Sequence, residues 1–258
     1  MKLLRDLWEY REMIYSLVKR DLKSRYKGSI LGFFWMFLNP LLQLCVYTIV
    51  FSSIMRMDID KFYLFLFVAL VPWLFFSTCL SSGTTIIFSQ QDMVKKIYFP
   101  REVLPVSFTL SQLVNMLLSF IVIFVVIQVS GIGLNFNALL YLPLVMFIEF
   151  ILALGITFIV SSATVYFRDL EHIMSIISMV WMYMTPIIYP IEYVPEQFLK
   201  IFYLNPMTSL TIAYRDILYY GRSPELDTLI NALILGVLVL ILGRLTFSKL
   251  QKHFAEEL

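Results

Sequence analysis

The sequence predicts an all-α integral membrane protein, and three observations predict it. Apolar residues make up 60% of the 258 and charged residues only 15%, against roughly 45–50% and about 25% in soluble domains. The mean hydropathy is +0.82, and the apolar residues gather in six runs of the roughly 17–25 residues or more that cross a bilayer as helix. Those runs do not alternate with the period of two that a transmembrane barrel strand requires, so the spans read as helices. A net charge of +2 leaves no basic face to neutralise phosphates and argues against nucleic acid as a partner. Cys45 and Cys79 both lie inside apolar runs, with no CxxC spacing. They read as small hydrophobes, with neither a metal nor a disulfide role.

Residues 1–29 read as a cytoplasmic interface helix. Leu3, Leu4, Leu7, Trp8, Ile14, Leu17 and Val18 recur at three- and four-residue steps, with Arg5, Glu9, Arg11, Lys19 and Arg20 between them, the pattern of a helix lying in the membrane surface. Such a helix anchors the chain, and its polar face is also available to a cytoplasmic subunit. Span 1 covers 30–55. Gly28 and Gly32 form a GxxxG spacing that admits a close helix. Asn39-Pro40 and Gln43 then interrupt the apolar run, and Pro40 should bend it.

Span 2 covers 62–88 and leads into 89–102, a loop longer than a connection needs. Asp92 is expected to cap a short helix running through Tyr98, and Pro100 disfavours helix at Phe99. Met93, Ile97 and Tyr98 would share one side of it, near Lys95 and Lys96. This is either a basic surface turn or a ball-like helix that fits a groove in a partner. Spans 3 and 4 cover 103–130 and 138–165, the fourth carrying Glu149. Span 5 covers 172–189 and span 6 covers 228–247, where Arg244 can snorkel to the interface.

Between spans 5 and 6 lies 190–227. Pro195 and Pro206 suit helix first turns, and Asn205 suits a cap, predicting helices over 195–204 and 206–220. Arg215-Asp216 would be costly at mid-bilayer, about 2.5–3.5 kcal/mol for each charge, so these helices are expected at or dipping into the outer interface. The segment reads either as an aromatic-belt loop, with Phe198 and Phe202 among its rings, or as a lid over an exit.

Fifteen of the 20 Lys and Arg fall on the side shared by residues 1–29, 89–102, 166–171 and 248–258, counting Arg244 at the adjoining end of span 6, which places both termini in the cytoplasm. The charged first 29 residues hold no apolar signal core. No stretch between spans is long enough for a soluble domain, and no GxxxxGK[ST] cradle occurs. Any ATP used must therefore be bound by another polypeptide. Two other classes find less support. An ion-coupled secondary transporter wants ionisable groups at mid-membrane, where Glu149 stands alone. An integral membrane enzyme acting on lipid-linked sugars wants clustered His, Asp or Glu, and His172 and His253 are far apart.

The run Arg20-Asp21-Leu22-Lys23-Ser24-Arg25-Tyr26-Lys27-Gly28, continuing to Leu38-Asn39-Pro40-Leu41, resembles the start of type-2 ABC exporter permeases for polysaccharides. So do Lys95-Lys96-Ile97-Tyr98-Phe99-Pro100-Arg101-Glu102, Tyr166-Phe167-Arg168-Asp169-Leu170, Thr185-Pro186-Ile187-Ile188-Tyr189-Pro190 and Leu204-Asn205-Pro206-Met207-Thr208. The five blocks occur in the family's order and cover essentially the whole chain. The resemblance implies a homodimer of six-helix subunits in the bacterial inner membrane with two cytoplasmic ATP-binding subunits, moving a lipid-linked O-antigen, capsule or teichoic acid. It implies no catalytic residue, metal or cofactor on this chain, with ATP and Mg on the partner. Coupling would fall to Asp92, Met93, Lys95, Lys96, Ile97 and Tyr98. The external gate would include Pro195, Phe198, Phe202, Asn205 and Pro206. A path between spans 1 and 5 would be flanked by Phe33, Phe34, Trp35, Phe37, Trp181, Tyr183 and Tyr189, although Trp and Tyr near span ends also serve as interfacial belts.

Overall fold

A computed structural model describes residues 2–26, 31–50 and 59–258. Gly28, in the GxxxG spacing, and the end of the first apolar run lie outside the described residues, as does the side chain of Phe33. In chain order the helices are α1 (Lys2–Glu9), α2 (Arg11–Tyr26), α3 (Trp35–Thr48), α4 (Phe62–Ser81), α5 (Ile86–Ser89), α6 (Gln91–Lys96) and α7 (Val103–Ser130). There follow α8 (Phe136–Leu139), α9 (Leu142–Tyr166), α10 (Leu170–Tyr183), α11 (Glu196–Leu204), α12 (Pro206–Leu218), α13 (Leu226–Leu250) and α14 (Phe254–Glu257).

Among the described residues four helical segments are long and apolar enough to cross a membrane: Phe62–Ser89, Val103–Ser130, Phe136–Tyr166 and Leu226–His253. The fifth apolar run differs from its sequence reading as a full span. Its helix, α10, ends after 14 residues at Tyr183, a rise of about 21 Å. The physical reason follows in the sequence. Pro186 has no amide to donate and disfavours helix at Thr185, so the chain runs irregularly to Pro190. The described part of α3 is also 14 residues, with Pro40 inside it.

The central element is α4, whose residues from Leu64 to Val71 are almost wholly enclosed because α3, α7, α9, α10 and α12 pack around it. The longest helix–helix contact joins α9 and α13. Glycine makes it possible: a Cβ on Gly155 would lie 2.6 Å from the Leu240 amide nitrogen, and one on Gly243 would strike the Gly155 carbonyl. Small residues let two backbones touch where lipid supplies no hydrophobic drive for association.

Hydrogen bonds sort the connections to two ends. At one end Ser111 donates to Asp21 (2.5 Å), Arg20 to Gln90 (2.6 Å) and the Tyr166 hydroxyl to the Leu250 carbonyl (2.7 Å). A separate apolar cluster there joins Val94, Phe99, Phe158, Phe247 and Phe254 to Leu7, Ile14 and Leu17. At the other end Tyr63 donates to Ser130 (2.9 Å), Asn135 to the Gly221 carbonyl (2.8 Å) and Tyr219 to the Asp60 carbonyl (2.5 Å). The N-terminal helix, the 89–102 loop, residues 166–169 and the C-terminus thus share one end of the bundle.

Candidate functional site

At the end that gathers both termini, α6 forms a small projection. Its inner face is seated by Val94 and Phe99, both buried in the cluster with Phe254. Gln251 braces it from the C-terminal side: its carbonyl accepts from Arg101 and its amide donates to Glu102 (2.8 Å). Lys95 is exposed on it, and Lys96 pairs with Asp92 across one turn at 3.4 Å, both largely in solvent, a contact that contributes little stability by itself.

The helix is shorter than its sequence suggests. Gln90 precedes it, Asp92 sits in its first turn without capping it, and Ile97 is already extended. The consequence is a split of the apolar side chains. Met93 packs inward on the cluster, whereas Ile97 and Tyr98 point out, Tyr98 at 98% exposure. The three do not share a side. Val94, the anchor, escaped the sequence reading; its signal is an apolar residue three before Ile97 and five before Phe99.

Helices α11 and α12 belong to the other end of the bundle. Asn205 performs the capping expected of it, its Oδ1 accepting from the Met207 amide at 3.0 Å. The same oxygen accepts from Trp181 Nε1 (2.9 Å), and its Nδ2 donates to Thr185 (2.8 Å). The turn into α12 is thereby tied to the end of α10, with Pro206 buried at the first position. By contrast, Pro195, Phe198 and Phe202 line a shallow outer cavity of about 360 Å³ with Tyr189 and Tyr193.

Helix α12 does not lie on the surface: every residue but Ile212 is buried. Tyr214 donates to the fully enclosed Glu149 carboxylate at 2.6 Å, so α12 enters the bundle two turns below the start of α9. Arg215, 3% exposed, stacks over the Phe65 ring at 3.6 Å and donates to the carbonyls of Phe65, Pro186 and Ile187. Pro186 and Ile187 lie where α10 has already stopped, so their carbonyls are outside any helix, while Phe65 belongs to α4. Helix α12 is thus enclosed by protein and not laid on its surface, and Arg215 meets its hydrogen-bond demand inside the protein rather than in water. Asp216 instead pairs with Arg222 at 2.7 Å, a hydrogen bond that raises the Arg222 guanidinium above its ordinary pKa. A sequence reader's clue to all this is Glu149 itself, a carboxylate in a span that demands a partner.

The remaining aromatic candidates scatter. Phe34 is 70% exposed and Phe37 is half-buried. Trp35 lines a cavity between α3, α4 and α7. Trp181, half-buried, sits edge-on against Phe76, ring centroids 5.0 Å apart, and borders a separate apolar cleft of about 570 Å³ between α9, α10, α11 and α13. Tyr183 is exposed, and the Tyr189 hydroxyl donates to its carbonyl. Within one chain, α3 and α10 pack on α4 but their aromatic groups border different cavities.

A long-helix bundle with a seated projection at one end and an inserted helix at the other now stands beside known proteins. The family model described as "ABC-2 type transporter" matches residues 12–219. The chain belongs to the ABC-2 type transporter family. It is 36% identical to the O-antigen export system permease protein RfbA of Myxococcus xanthus over 100% of both chains. A Klebsiella pneumoniae protein of the same description is 31% identical over 99% of this chain and 98% of its own. The capsule polysaccharide export inner-membrane protein CtrC of Neisseria meningitidis is 22% identical over 96% of this chain and 95% of its own. Among the described residues no group of three or more His, Cys, Asp or Glu is placed to hold a metal ion.

Proposed function

We propose that this ABC-2 family chain is the membrane permease of an exporter that moves a lipid-linked polysaccharide, of the O-antigen or capsule kind, out across a bacterial inner membrane. The observation that carries this reading is similarity along the full length to O-antigen export permeases. Two copies of the chain would form the conduit, with the 1–29 and 89–102 segments facing the cytoplasm and both termini there. Two ATP-binding subunits on that face would bind ATP and Mg and supply the energy.

In this reading the α6 projection receives the force. An exposed Ile97-Tyr98 pair is an apolar tip on a polar end, suited to insertion in a partner's groove. Val94 and Phe99 connect that tip through the shared cluster to Phe158 on α9, Phe247 on α13 and Leu17 on α2, so a push on α6 reaches two long helices and the interface helix together. Helices α11 and α12 would close the outer mouth. The chain contributes positioning and movement, and the bond broken is in ATP on its partner.

The test is reconstitution of the chain with its ATPase in proteoliposomes loaded with lipid-linked polymer. ATP-dependent polymer movement is expected. Tyr98→Ala is expected to lower ATPase association and export about tenfold, the loss of one buried aromatic anchor, while membrane insertion persists. Export at the original rate by that variant would remove α6 as the coupling element. Polymer movement by the chain without any ATPase would remove the exporter reading itself.

A further inference from the structure

Helix α3 carries polar residues that neither the family's ATPase contact nor its outer closure explains. Trp35, Asn39 and Gln43 recur every four residues and share one stripe with Pro40 between them. That stripe faces a cavity of about 230 Å³, bounded on α4 by Val71, Leu74, Phe75 and Thr78 and on α7 by Gln112, Asn115, Met116 and Ser119. Each helix contributes a single face. Four carboxamides therefore border one space within a bundle of apolar spans.

Their hydrogen bonds are incomplete. Asn115 Nδ2 donates to Gln112 Oε1 at 3.3 Å and Gln112 Nε2 to Ser111 at 3.4 Å, both long. Asn115 Oδ1 is enclosed and has no partner among the described residues. Leaving such a group empty-handed in a hydrocarbon slab costs about 1–3 kcal/mol, so a polar occupant is expected. Pro40 adds to the demand, since it has no amide for the carbonyl four residues before it.

The lining specifies the occupant's chemistry. Among the described residues it holds no Lys, Arg, Asp or Glu, which disfavours a phosphate or a metal ion. Carboxamides donate and accept at once, as hydroxyls do. Trp35 and Phe75 add flat apolar surfaces beside them, which suits a ring with hydroxyls on its edge and C–H groups on its face. At about 30 Å³ for each water, the space holds several waters or one sugar ring that displaces them.

We propose that this carboxamide-lined cavity between α3, α4 and α7 is a binding site for an uncharged sugar unit of the exported chain. The inference rests on the polysaccharide reading above and sharpens it: the contact here is to neutral hydroxyls, away from any lipid phosphate. Gln43 and Asn115 approach from opposite helices and would grip one ring between them.

The experiment uses the full exporter, chain plus ATPase, in proteoliposomes with a lipid-linked polymer of uncharged sugars. Gln43→Leu and Asn115→Leu are each expected to raise the polymer concentration for half-maximal ATPase stimulation about tenfold, one lost hydrogen-bond partner each. Val125→Ala, on an exposed face of α7, should not. A diazirine amino acid at Thr78 should crosslink to the polymer, and one at Val125 should not. An unchanged half-maximal concentration in an assembled Gln43→Leu exporter overturns the proposal, and so does no crosslinking from Thr78. If Asn115→Leu does not assemble, the Thr78 crosslink in the otherwise unaltered chain decides. An unaltered exporter that ignores the polymer overturns the export reading instead.

Discussion

Helices α11 and α12 follow one another directly, both entered through proline, and they meet opposite fates. The first, Glu-Gln-Phe-Leu-Lys-Ile-Phe-Tyr-Leu, is rich in large apolar side chains, and none of its residues is buried. The second carries Thr, Ser, Thr, Tyr, Arg and Asp, and is buried almost throughout. In a soluble protein the order would be reversed. In a membrane the solvent is itself apolar, so hydrophobicity gives no reason to be inside, and polar groups that pair with protein do. Helix α12 is held by what it bonds: Tyr214 to Glu149, Arg215 to the carbonyls of Phe65, Pro186, Ile187 and Tyr189, Asp216 to Arg222.

That contrast can be broken at several places. The largest effect is expected from Gly243→Val, which forces apart α9 and α13, the pair against which α12 packs. The folded protein should be nearly lost, read as detergent-soluble monodisperse material by fluorescence size-exclusion. Next comes Arg215→Ala, which orphans the Pro186 and Ile187 carbonyls and removes the ring contact with Phe65. A loss of about 3 kcal/mol or more is expected, seen as a fall of many degrees in the melting temperature. Tyr214→Phe should cost about 1–3 kcal/mol by taking from Glu149 its hydrogen bond with Tyr214, and Tyr214→Phe combined with Glu149→Leu should recover part of that loss. Smallest is Phe198→Ala in α11, expected within about 0.5 kcal/mol. If Phe198→Ala proves as damaging as Arg215→Ala, the distinction between an outer and an inserted helix fails.

Legibility in the sequence followed the range of the interactions. Helix starts at 196 and 206 were readable because Pro195, Asn205 and Pro206 act on their own backbone. The α6 projection was readable as an over-long loop, yet its anchor was not: Val94 matters only because Phe254, more than 150 residues on, covers it. Span 5 illustrates the same limit from the other side. Its apolar composition reads as a crossing, but Pro186 ends the helix at a length that composition does not report. The cavity between α3, α4 and α7 drew its polar lining from three separate runs, each of which shows only stray amides when read singly.

The membrane class, the long helices and the sorting of charged loops to opposite sides follow from composition and local pattern, since partition between water and hydrocarbon acts on each segment by itself. The insertion of α12, the Gly155–Gly243 crossing and the meeting of Gln43 with Asn115 needed the assembled bundle. Those depend on hydrogen bonds and close packing between residues distant in sequence, and such contacts acquire their energy only once both partners are in place.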